Sequence, residues 1–385
     1  MLDFTFHNPT RILFGQNRIK DIASEIPAGS HVMITYGGGS IVKTGVMDEI
    51  KTALKGFTVS EFGGIEPNPT YETLMQCVAR VKAEKVDFIL AAGGGSVIDG
   101  TKFIAAAALY EGEPWDILET YGARVTKAVP FGTVLTLPAT GSEMNCGAVI
   151  TRKEFQAKLV FSHPSVFPTF SVLDPTKSFT LPERQLANGV VDAFVHVMEQ
   201  YLTFPVQGGV QDRFSEGLLL TLLEEGPKAL KDPEDYDVRA NIMWVATLAL
   251  NGLIGAGVPQ DWATHMVGHE LTALYGVDHA RTLAVVLPAM MEARREEKKE
   301  KLLQYASRVW NLSEGSDEAR MTEAIAQTRA FFEAMGIPTR LAAYDIGEEA
   351  IEKVCAQLTA HGLNKLGEHQ SLPPDQVGKI LAACL

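Results

Sequence analysis

Five residues in the second half of the chain have the types and the spacing of a metal site. Asp192 and His196 are four residues apart in an otherwise apolar stretch, so a helix would place both on one face. His265 and His269 repeat this spacing, and His279 follows a Tyr-Gly turn signal. A buried aspartate without a cation would be costly. The pattern favours one divalent ion over ordinary hydrogen-bonded core histidines, and it leaves open whether His265 or His269 binds.

The donor types narrow the kind of metal site. Imidazole and carboxylate ligands suit Fe²⁺ or Zn²⁺, and ligand type does not separate the two. No cysteine accompanies the histidines, whereas structural zinc usually closes its coordination shell with thiolates. We therefore expect a catalytic site that keeps one coordination position open.

Two Gly-Gly-Gly-Ser loops each follow an apolar stretch, HVMITY in one case and VDFILAA in the other. Glycine lets the backbone approach a phosphate closely, and the N–H groups at a helix start attract anions. The pair predicts a dinucleotide site, with ordinary tight turns as the alternative. The residues concerned are Gly37, Gly38, Gly39, Ser40, Gly94, Gly95 and Ser96.

The first loop also bears on which dinucleotide binds. Sites for NAD usually place a carboxylate on the ribose 2′-hydroxyl, and that carboxylate would repel a 2′-phosphate. Residues 37–40 contain no acid, and Lys43 is close by in sequence. The loop therefore favours NADPH or NADP.

Further polar residues follow the second loop and a later strand. Asp99 lies in the first turn of the helix after residues 93–96, where a carboxylate also suits the helix dipole. Thr136, Thr140 and Ser142 form a hydroxyl-rich turn that an ordinary ST-turn explains equally well.

The elements that must position these residues divide the chain in two. Up to about residue 180, short apolar strands alternate with helical patterns, which predicts an α/β domain with a mostly parallel sheet. Residues 181–385 show helical patterns and little strand signal, which predicts an all-α domain. A chain of 385 residues is too long for one ordinary core, so we expect the active site in a cleft between domains 1–180 and 181–385.

Composition excludes several functional classes. The formal net charge is −13, which gives no electrostatic footprint for nucleic acid or for an anionic membrane. Four scattered cysteines and no signal-peptide pattern indicate a cytoplasmic protein. The charged run at residues 292–301 has mixed signs at helical spacing, which predicts a solvated helix face.

Several sequence blocks, taken in order, resemble the iron-containing (group III) alcohol dehydrogenases. The similarity is greatest to their NADPH-dependent aldehyde reductase and butanol dehydrogenase branch, and it runs nearly end to end. The blocks are NPTRILFG at 8–15, ITYGGGS at 34–40, FGGIEPNP at 62–69, GGGSVIDGTKF at 93–103, LTLPATGSE at 135–143, ANGVVDAFVHVMEQY at 187–201 and GVPQDWATHMVGHELTALYGVDHA at 257–280.

The resemblance implies roles for particular residues. Four side chains match the family's metal ligands: Asp192, His196, His265 and His279. His269 matches a nearby histidine that does not bind the metal. Residues 93–96 and Asp99 match the pyrophosphate and nicotinamide site, and other residues match the rest of the cofactor cleft: Asn68, Thr136, Thr140, Ser142 and Lys158. NAD-using members carry an aspartate near the position of Gly37, and members of this branch usually form homodimers.

The predicted function is hydride transfer between NADPH and a small aldehyde. The metal would polarise the carbonyl group, and His269 would relay the proton. One alternative is a lyase or polyol-phosphate enzyme of the same scaffold, resembling dehydroquinate synthase or glycerol-1-phosphate dehydrogenase. The other is a non-catalytic metal-binding protein. Apolar residues around the metal segments, Trp262 among them, favour a neutral substrate.

Overall fold

The computed structural model describes all 385 residues and divides them into two compact units. The α/β unit consists of His7–Leu181 together with Glu234–Thr247. The helical unit consists of Met1–Phe6, Pro182–Pro233 and Leu248–Leu385. No helix is at once long enough and apolar enough to cross a lipid bilayer.

Strands occur only in the first half of the chain, and helices occur throughout. The strands are β1 (Arg11–Phe14), β2 (His31–Tyr36), β3 (Thr58–Phe62), β4 (Phe88–Gly94), β5 (Phe131–Leu137), β6 (Gly147–Arg152), β7 (Ala157–Ser162) and β8 (Phe170–Leu173). The helices are α1 (Ser40–Lys43), α2 (Val46–Ala53), α3 (Tyr71–Glu84), α4 (Gly95–Ala107), α5 (Asp116–Glu119), α6 (Glu183–Tyr201), α7 (Gly209–Lys231), α8 (Tyr236–Ala249), α9 (Ala263–Tyr275), α10 (His279–Ala293), α11 (Lys299–Arg308), α12 (Asp317–Ala334), α13 (Glu349–Ala360) and α14 (Pro374–Ala382).

Six strands form one parallel sheet in the order β1-β8-β5-β4-β2-β3, and β6 pairs with β7 as a separate antiparallel hairpin. Successive residues of β4 point to opposite faces of the sheet, where Phe88 and Leu90 join one apolar cluster and Ile89 and Ala91 the other. Both faces are therefore buried, as a parallel sheet requires. The predicted α/β class with a mostly parallel sheet, followed by a helical region, is confirmed.

The strand order has a switch point between β2 and β4. The chain leaves β2 for β3 on one side and returns to β4 on the other side. In open α/β sheets, ligands bind outside the carboxyl ends of the strands at such a point. The two Gly-Gly-Gly-Ser loops occupy these two carboxyl ends, after Tyr36 and at Gly94.

The helical unit places its histidine-bearing helices side by side. α10 packs against both α6 and α9. Gly276 ends α9 in a left-handed conformation with φ 69°, and α10 begins three residues later at His279. Val267 and Leu271 of α9 share an apolar cluster with Val285 of α10. The predicted turn between His265 and His279 is therefore present.

Two segments do not follow a single division at residue 180. Residues 1–6 group with the helical unit, and residues 234–247 group with the α/β unit. α8 belongs to the α/β unit because its residue Met243 lies in the same apolar cluster as Ile89 of the sheet. In addition, Arg239 Nε donates to Ser178 Oγ at 3.1 Å. These long-range contacts have no local sequence signal.

The charged run at residues 292–301 is not the solvated helix face that its pattern predicts. α10 ends at Ala293 and α11 begins at Lys299, so a turn interrupts the run. Arg294, Lys298 and Lys301 are buried. Each is held by an acidic residue, and for Lys298 and Lys301 that partner is distant in sequence. The prediction of a solvated face is wrong for these three cations, since they are buried. Their distant partners, Asp261 and Asp212, cannot be inferred from the run itself.

Candidate active site

Three helices of the helical unit bring the predicted metal residues together. Asp192 and His196 lie one turn apart on α6, His265 lies in the first turn of α9, and His279 is the first residue of α10. The ligand atoms of Asp192, His265 and His279 all lie within 4.8 Å of one another. Asp192 Oδ1 is 3.7 Å from His279 Nε2 and 3.9 Å from His196 Nε2. A tetrahedral ion separates its ligand atoms by about 3.4 Å, so these spacings suit one metal ion.

The chemistry of this group also fits a divalent cation. His196 is 4% exposed, and its Nδ1 has no hydrogen-bond partner. Burial lowers the pKa of His196 to about 4, so its imidazole is neutral near pH 7 and can offer a lone pair. The His196 and His265 rings stack at a centroid distance of 4.6 Å, which two charged imidazolium rings would disfavour.

His269 lies beside the metal group on α9. It is buried, one helical turn after His265, and its ring centroid is 5.0 Å from that of His279. Its ring centroid is 6.3 Å from that of His265. Of the two histidines that spacing left as candidates, His265 belongs to the close group of ligand atoms and His269 does not. His196 also lies outside that group, although its Nε2 is 3.9 Å from Asp192 Oδ1.

Trp262 packs edge-on against two of the histidines. Its ring centroid is 5.2 Å from that of His265 and 6.2 Å from that of His196. Its backbone is left-handed, with φ 62°, a conformation that costs energy for a bulky residue and is concentrated at functional sites. The indole Nε1 donates to Gln260 Oε1 at 2.8 Å. Trp262 therefore gives the metal group an apolar neighbour, as the sequence indicated.

The predicted dinucleotide residues all belong to the α/β unit. Residues 37–40 follow β2, Gly94 and Gly95 join β4 to α4, and Thr140 and Ser142 follow β5. α4 has 13 residues, and its first amides lack intrahelical partners, so its N-terminus suits a phosphate. α1 has only four residues, so the first loop contributes little as a helix terminus.

Asp99 and Ser142 meet in a partly buried polar network. Asp99 is the fifth residue of α4, so the prediction that it lies in the first turn is wrong, because the helix begins earlier, at Gly95. Ser142 Oγ donates to Asp99 Oδ1 at 2.5 Å, and a backbone N–H of β6 donates to Asp99 Oδ2 at 3.0 Å. Lys102 Nζ donates to Ser142 Oγ and to Asn145 Oδ1, each at 2.8 Å. Burial raises the pKa of Asp99 and lowers the pKa of Lys102 to about 8. The network fixes the turn after β5 against the start of α4.

Two of the remaining cofactor candidates, Asn68 and Thr136, lie at irregular backbone positions. Lys158 on β7 donates to Asn68 Oδ1 at 2.9 Å, and Asn68 has a left-handed backbone with φ 55°. Thr136 is an extra residue where the register of β5 shifts against β4. Such bulges are over-represented beside active sites. The Thr140 side chain accepts a hydrogen bond from the Ser142 N–H at 3.3 Å.

Sequence analysis does not identify two buried charged residues of these sites. Glu199 is 3% exposed, and its carboxylate contacts the His265 ring. Its signal is the spacing of residues 192, 196 and 199, which share one face of α6. Lys102 is 0% exposed, and its signal is a single charge in the otherwise apolar second half of α4.

Comparison with known families matches nearly the whole chain. Residues 9–175 match the family described as Iron-containing alcohol dehydrogenase. Residues 186–385 match the family described as Fe-containing alcohol dehydrogenase family, C-terminal.

Individual relatives match over their full length. The chain is 59% identical over 385 residues to NADPH-dependent aldehyde reductase YqhD of Escherichia coli (strain K12), covering all of both chains. It is 42% identical over 390 residues to Probable NADH-dependent butanol dehydrogenase 1 of Bacillus subtilis (strain 168), again covering all of both. The solved structure of NADH-dependent butanol dehydrogenase A from Thermotoga maritima is 35% identical, with a TM-score of 0.96, covering 100% of this chain and 99% of that one.

Proposed function

The chain belongs to the iron-containing alcohol dehydrogenase family, and we propose that it reduces short aliphatic aldehydes to primary alcohols with NADPH at one divalent metal ion. The resemblance predicted from the sequence blocks is confirmed. The chain is an oxidoreductase, an NADP-dependent alcohol dehydrogenase or aldehyde reductase. The observation that carries the proposal is the grouping of the Asp192, His265 and His279 ligand atoms within 4.8 Å.

The proposed metal ligands are Asp192, His196, His265 and His279. A divalent ion held there would supply Lewis-acid polarisation of a carbonyl group. The neutral, buried His196 and the carboxylate of Asp192 suit both Fe²⁺ and Zn²⁺, and the family name favours iron. Trp262 would keep the neighbourhood of the carbonyl apolar and exclude water from it.

The proposed cofactor site uses both glycine loops. NADPH supplies the hydride, and the chain's own residues orient it. The N-terminus of α4 would hold the pyrophosphate, because its first amides lack intrahelical partners. Asp99, fixed by Ser142, would position the nicotinamide riboside. The acid-free first loop would accept the 2′-phosphate, in agreement with the NADPH-dependent relative at 59% identity.

His269 is the proposed proton relay. It is buried on α9, and its ring centroid lies 5.0 Å from that of His279. An imidazole has one ring nitrogen that can give a proton and one that can accept it, as a proton relay requires.

The experiment that tests the proposal is the replacement His265→Ala in the full-length protein. We expect the variant to lose both bound metal, measured by elemental analysis, and NADPH-dependent reduction of butanal, followed by NADPH absorbance. Undiminished metal stoichiometry in this variant would contradict the ligand assignment. Wild-type protein that binds metal but consumes no NADPH with any short aldehyde would instead favour a non-catalytic metal-binding protein.

The rival reading as a lyase or polyol-phosphate enzyme needs cations for an anionic substrate. Two arginines lie near the start of α10, and one aspartate pairs with both. Arg184 Nε is 2.8 Å and Arg281 Nε 3.6 Å from Asp278 Oδ2. One aspartate offsets only one of these two positive charges, so the arginines do not decide against an anionic substrate. The apolar neighbour of the histidines, Trp262, favours an uncharged aldehyde instead.

Location and assembly stay predictions. All four cysteines are free thiols, which supports the proposed cytoplasmic location. The proposed homodimer rests on the family resemblance, and sedimentation of the purified chain would test it.

A further inference from the structure

Glu199 occupies a position between the two helices that carry most of the proposed metal ligands. It lies on α6, one turn after His196, and shares a helix face with Asp192 and His196. Its side chain is 3% exposed, although no lysine or arginine pairs with it. Burial of a carboxylate is costly unless hydrogen bonds compensate, so its contacts indicate what it does.

The carboxylate of Glu199 accepts hydrogen bonds from α9. Oε1 accepts the Thr264 N–H at 2.6 Å, and Oε2 accepts the His265 N–H at 3.1 Å. These amides lie in the first turn of α9, where no intrahelical acceptor exists. Glu199 on α6 therefore caps α9 from outside and ties the Asp192 and His196 helix to the His265 helix.

The same carboxylate also contacts the His265 ring. Oε2 of Glu199 forms a short hydrogen bond with His265 Nδ1. Burial raises the pKa of the Glu199 carboxyl, whereas the two α9 amides that donate to its oxygens favour the ionised form. An ionised carboxylate only accepts, so Nδ1 carries the proton and the ring's lone pair lies on Nε2. Because a partner on one ring nitrogen sets which nitrogen is available to a metal, Glu199 controls both the orientation and the tautomer of His265.

We propose that Glu199 is a positioning residue that fixes His265 as an Nε2 metal donor and couples the ligand helices α6 and α9. This inference rests on the proposed function, since it concerns the same metal site. It does not require Glu199 to contact the metal, the cofactor or the substrate.

The variant Glu199→Gln separates this role from packing. Glutamine has nearly the same volume, but it has one acceptor oxygen and one NH₂ donor. In either orientation of the amide, its NH₂ faces an N–H of α9. With NH₂ toward His265, it also favours the tautomer whose lone pair is on Nδ1, which points away from the metal group.

The chain offers a matched control on the helix that carries His265. Glu270 lies on α9, is 2% exposed, and its Oε1 is 2.8 Å from His361 Nδ1. Glu270→Gln therefore perturbs a glutamate–histidine pair whose glutamate is equally buried, and His361 is not a proposed ligand. Both variants lose a glutamate–histidine hydrogen bond. Only Glu199→Gln is also expected to lose the tautomer whose Nε2 lone pair is available to the metal.

The test is a Co²⁺ titration of full-length, chelator-stripped protein, followed by visible absorption with a competing chelator. We expect Glu199→Gln to raise the Co²⁺ dissociation constant about 10- to 100-fold, and Glu270→Gln to leave it unchanged. An unchanged constant in Glu199→Gln, or an equal rise in both variants, overturns the inference. Wild-type protein that binds no Co²⁺ overturns the proposed function, and the inference falls with it.

A second measurement needs no folded Glu199 variant. Two-bond proton–nitrogen NMR of the metal-free wild type, with His265 assigned from a His265→Gln spectrum, reports which ring nitrogen is protonated. We expect protonation at Nδ1. Protonation at Nε2 alone overturns the inference, even if the metal binds.

Discussion

The two Gly-Gly-Gly-Ser loops have the same four residue types, and their glycines are needed for different reasons. In the second loop, an added Cβ at Gly93 would lie 2.6 Å from Val97 Cγ2, and one at Gly95 would lie 2.4 Å from Thr140 Oγ1. In the first loop, an added Cβ at Gly38 or Gly39 meets nothing within 4 Å. The second loop is enclosed by its neighbours, whereas the first is open at Gly38 and Gly39.

This difference shows that the glycines of one sequence pattern are required for close packing in one loop and not in the other. Both loops end neighbouring strands, so both can reach one bound dinucleotide. Glycine at the second loop lets β4, α4 and the turn after β5 approach each other. At Gly38 and Gly39 of the first loop, the space that a Cβ would occupy is not filled by any other part of the chain. Substitutions in the two loops should therefore differ in how much they change the stability of the protein and how much they change cofactor binding.

The largest effect is expected for Gly95→Ala. The new methyl group would collide with Thr140, a short side chain with little freedom to move away. We expect a loss of about 1–3 kcal/mol in the free energy of unfolding. Urea denaturation measures this loss, and NADPH titration should show weaker binding. A variant as stable as the wild type would contradict the enclosed nature of the second loop.

Next in size is Gly37→Asp, which should change cofactor preference. The new carboxylate would repel a 2′-phosphate, while its Cβ, 3.2 Å from the Ile65 carbonyl oxygen, requires only a small shift. We expect NADPH affinity to fall at least about tenfold, roughly 1.4 kcal/mol, with NADH affinity much less affected. Parallel titrations with both cofactors measure this. Equal weakening of both would mean that the first loop does not contact the 2′-phosphate.

An effect of similar size, on stability instead of cofactor binding, is expected for Gly39→Ala. Gly39 has φ 93° and ψ 11°, a left-handed conformation that alanine adopts at a cost of about 1–2 kcal/mol. No neighbour obstructs the methyl group, so the cost should appear in stability without a shift in the ratio of NADPH to NADH affinity. Thermal unfolding checks the first expectation, and cofactor titration checks the second.

The smallest effect on stability is expected for Gly38→Ala. Gly38 lies outside the left-handed region, and its added Cβ meets open space. The unfolding free energy should change by less than about 0.5 kcal/mol. This variant is also the steric control for Gly37→Asp, because it adds a side chain to the same loop without a charge. A large loss of stability in Gly38→Ala would contradict the conclusion that the first loop is less enclosed than the second.

The sequence predicts best where the signal is local. The spacing of Asp192 with His196 and the glycine runs after apolar strands are periodic features of single elements, and the structure has the corresponding helix and strands. The burial of Lys298 depends on Asp261, a partner 37 residues away, so no local pattern reveals it. The β6–β7 hairpin is local, with Arg152 paired to Ala157, yet it is not among the predicted elements. Glu199 falls between these cases, because its spacing is local but its partner, His265, is on another helix.

The placement of α8 has a consequence for protein synthesis. The sheet ends at residue 173, but the α/β unit takes in α8, where Met243 joins the sheet's apolar cluster and Thr247 Oγ1 donates to Glu143 Oε1 at 2.5 Å. A ribosome must therefore release residue 247 before this unit can close, with α6 and α7 already outside the exit tunnel. A gene cut at residue 181 would encode an N-terminal fragment with an exposed apolar patch, prone to aggregate rather than to bind nucleotide.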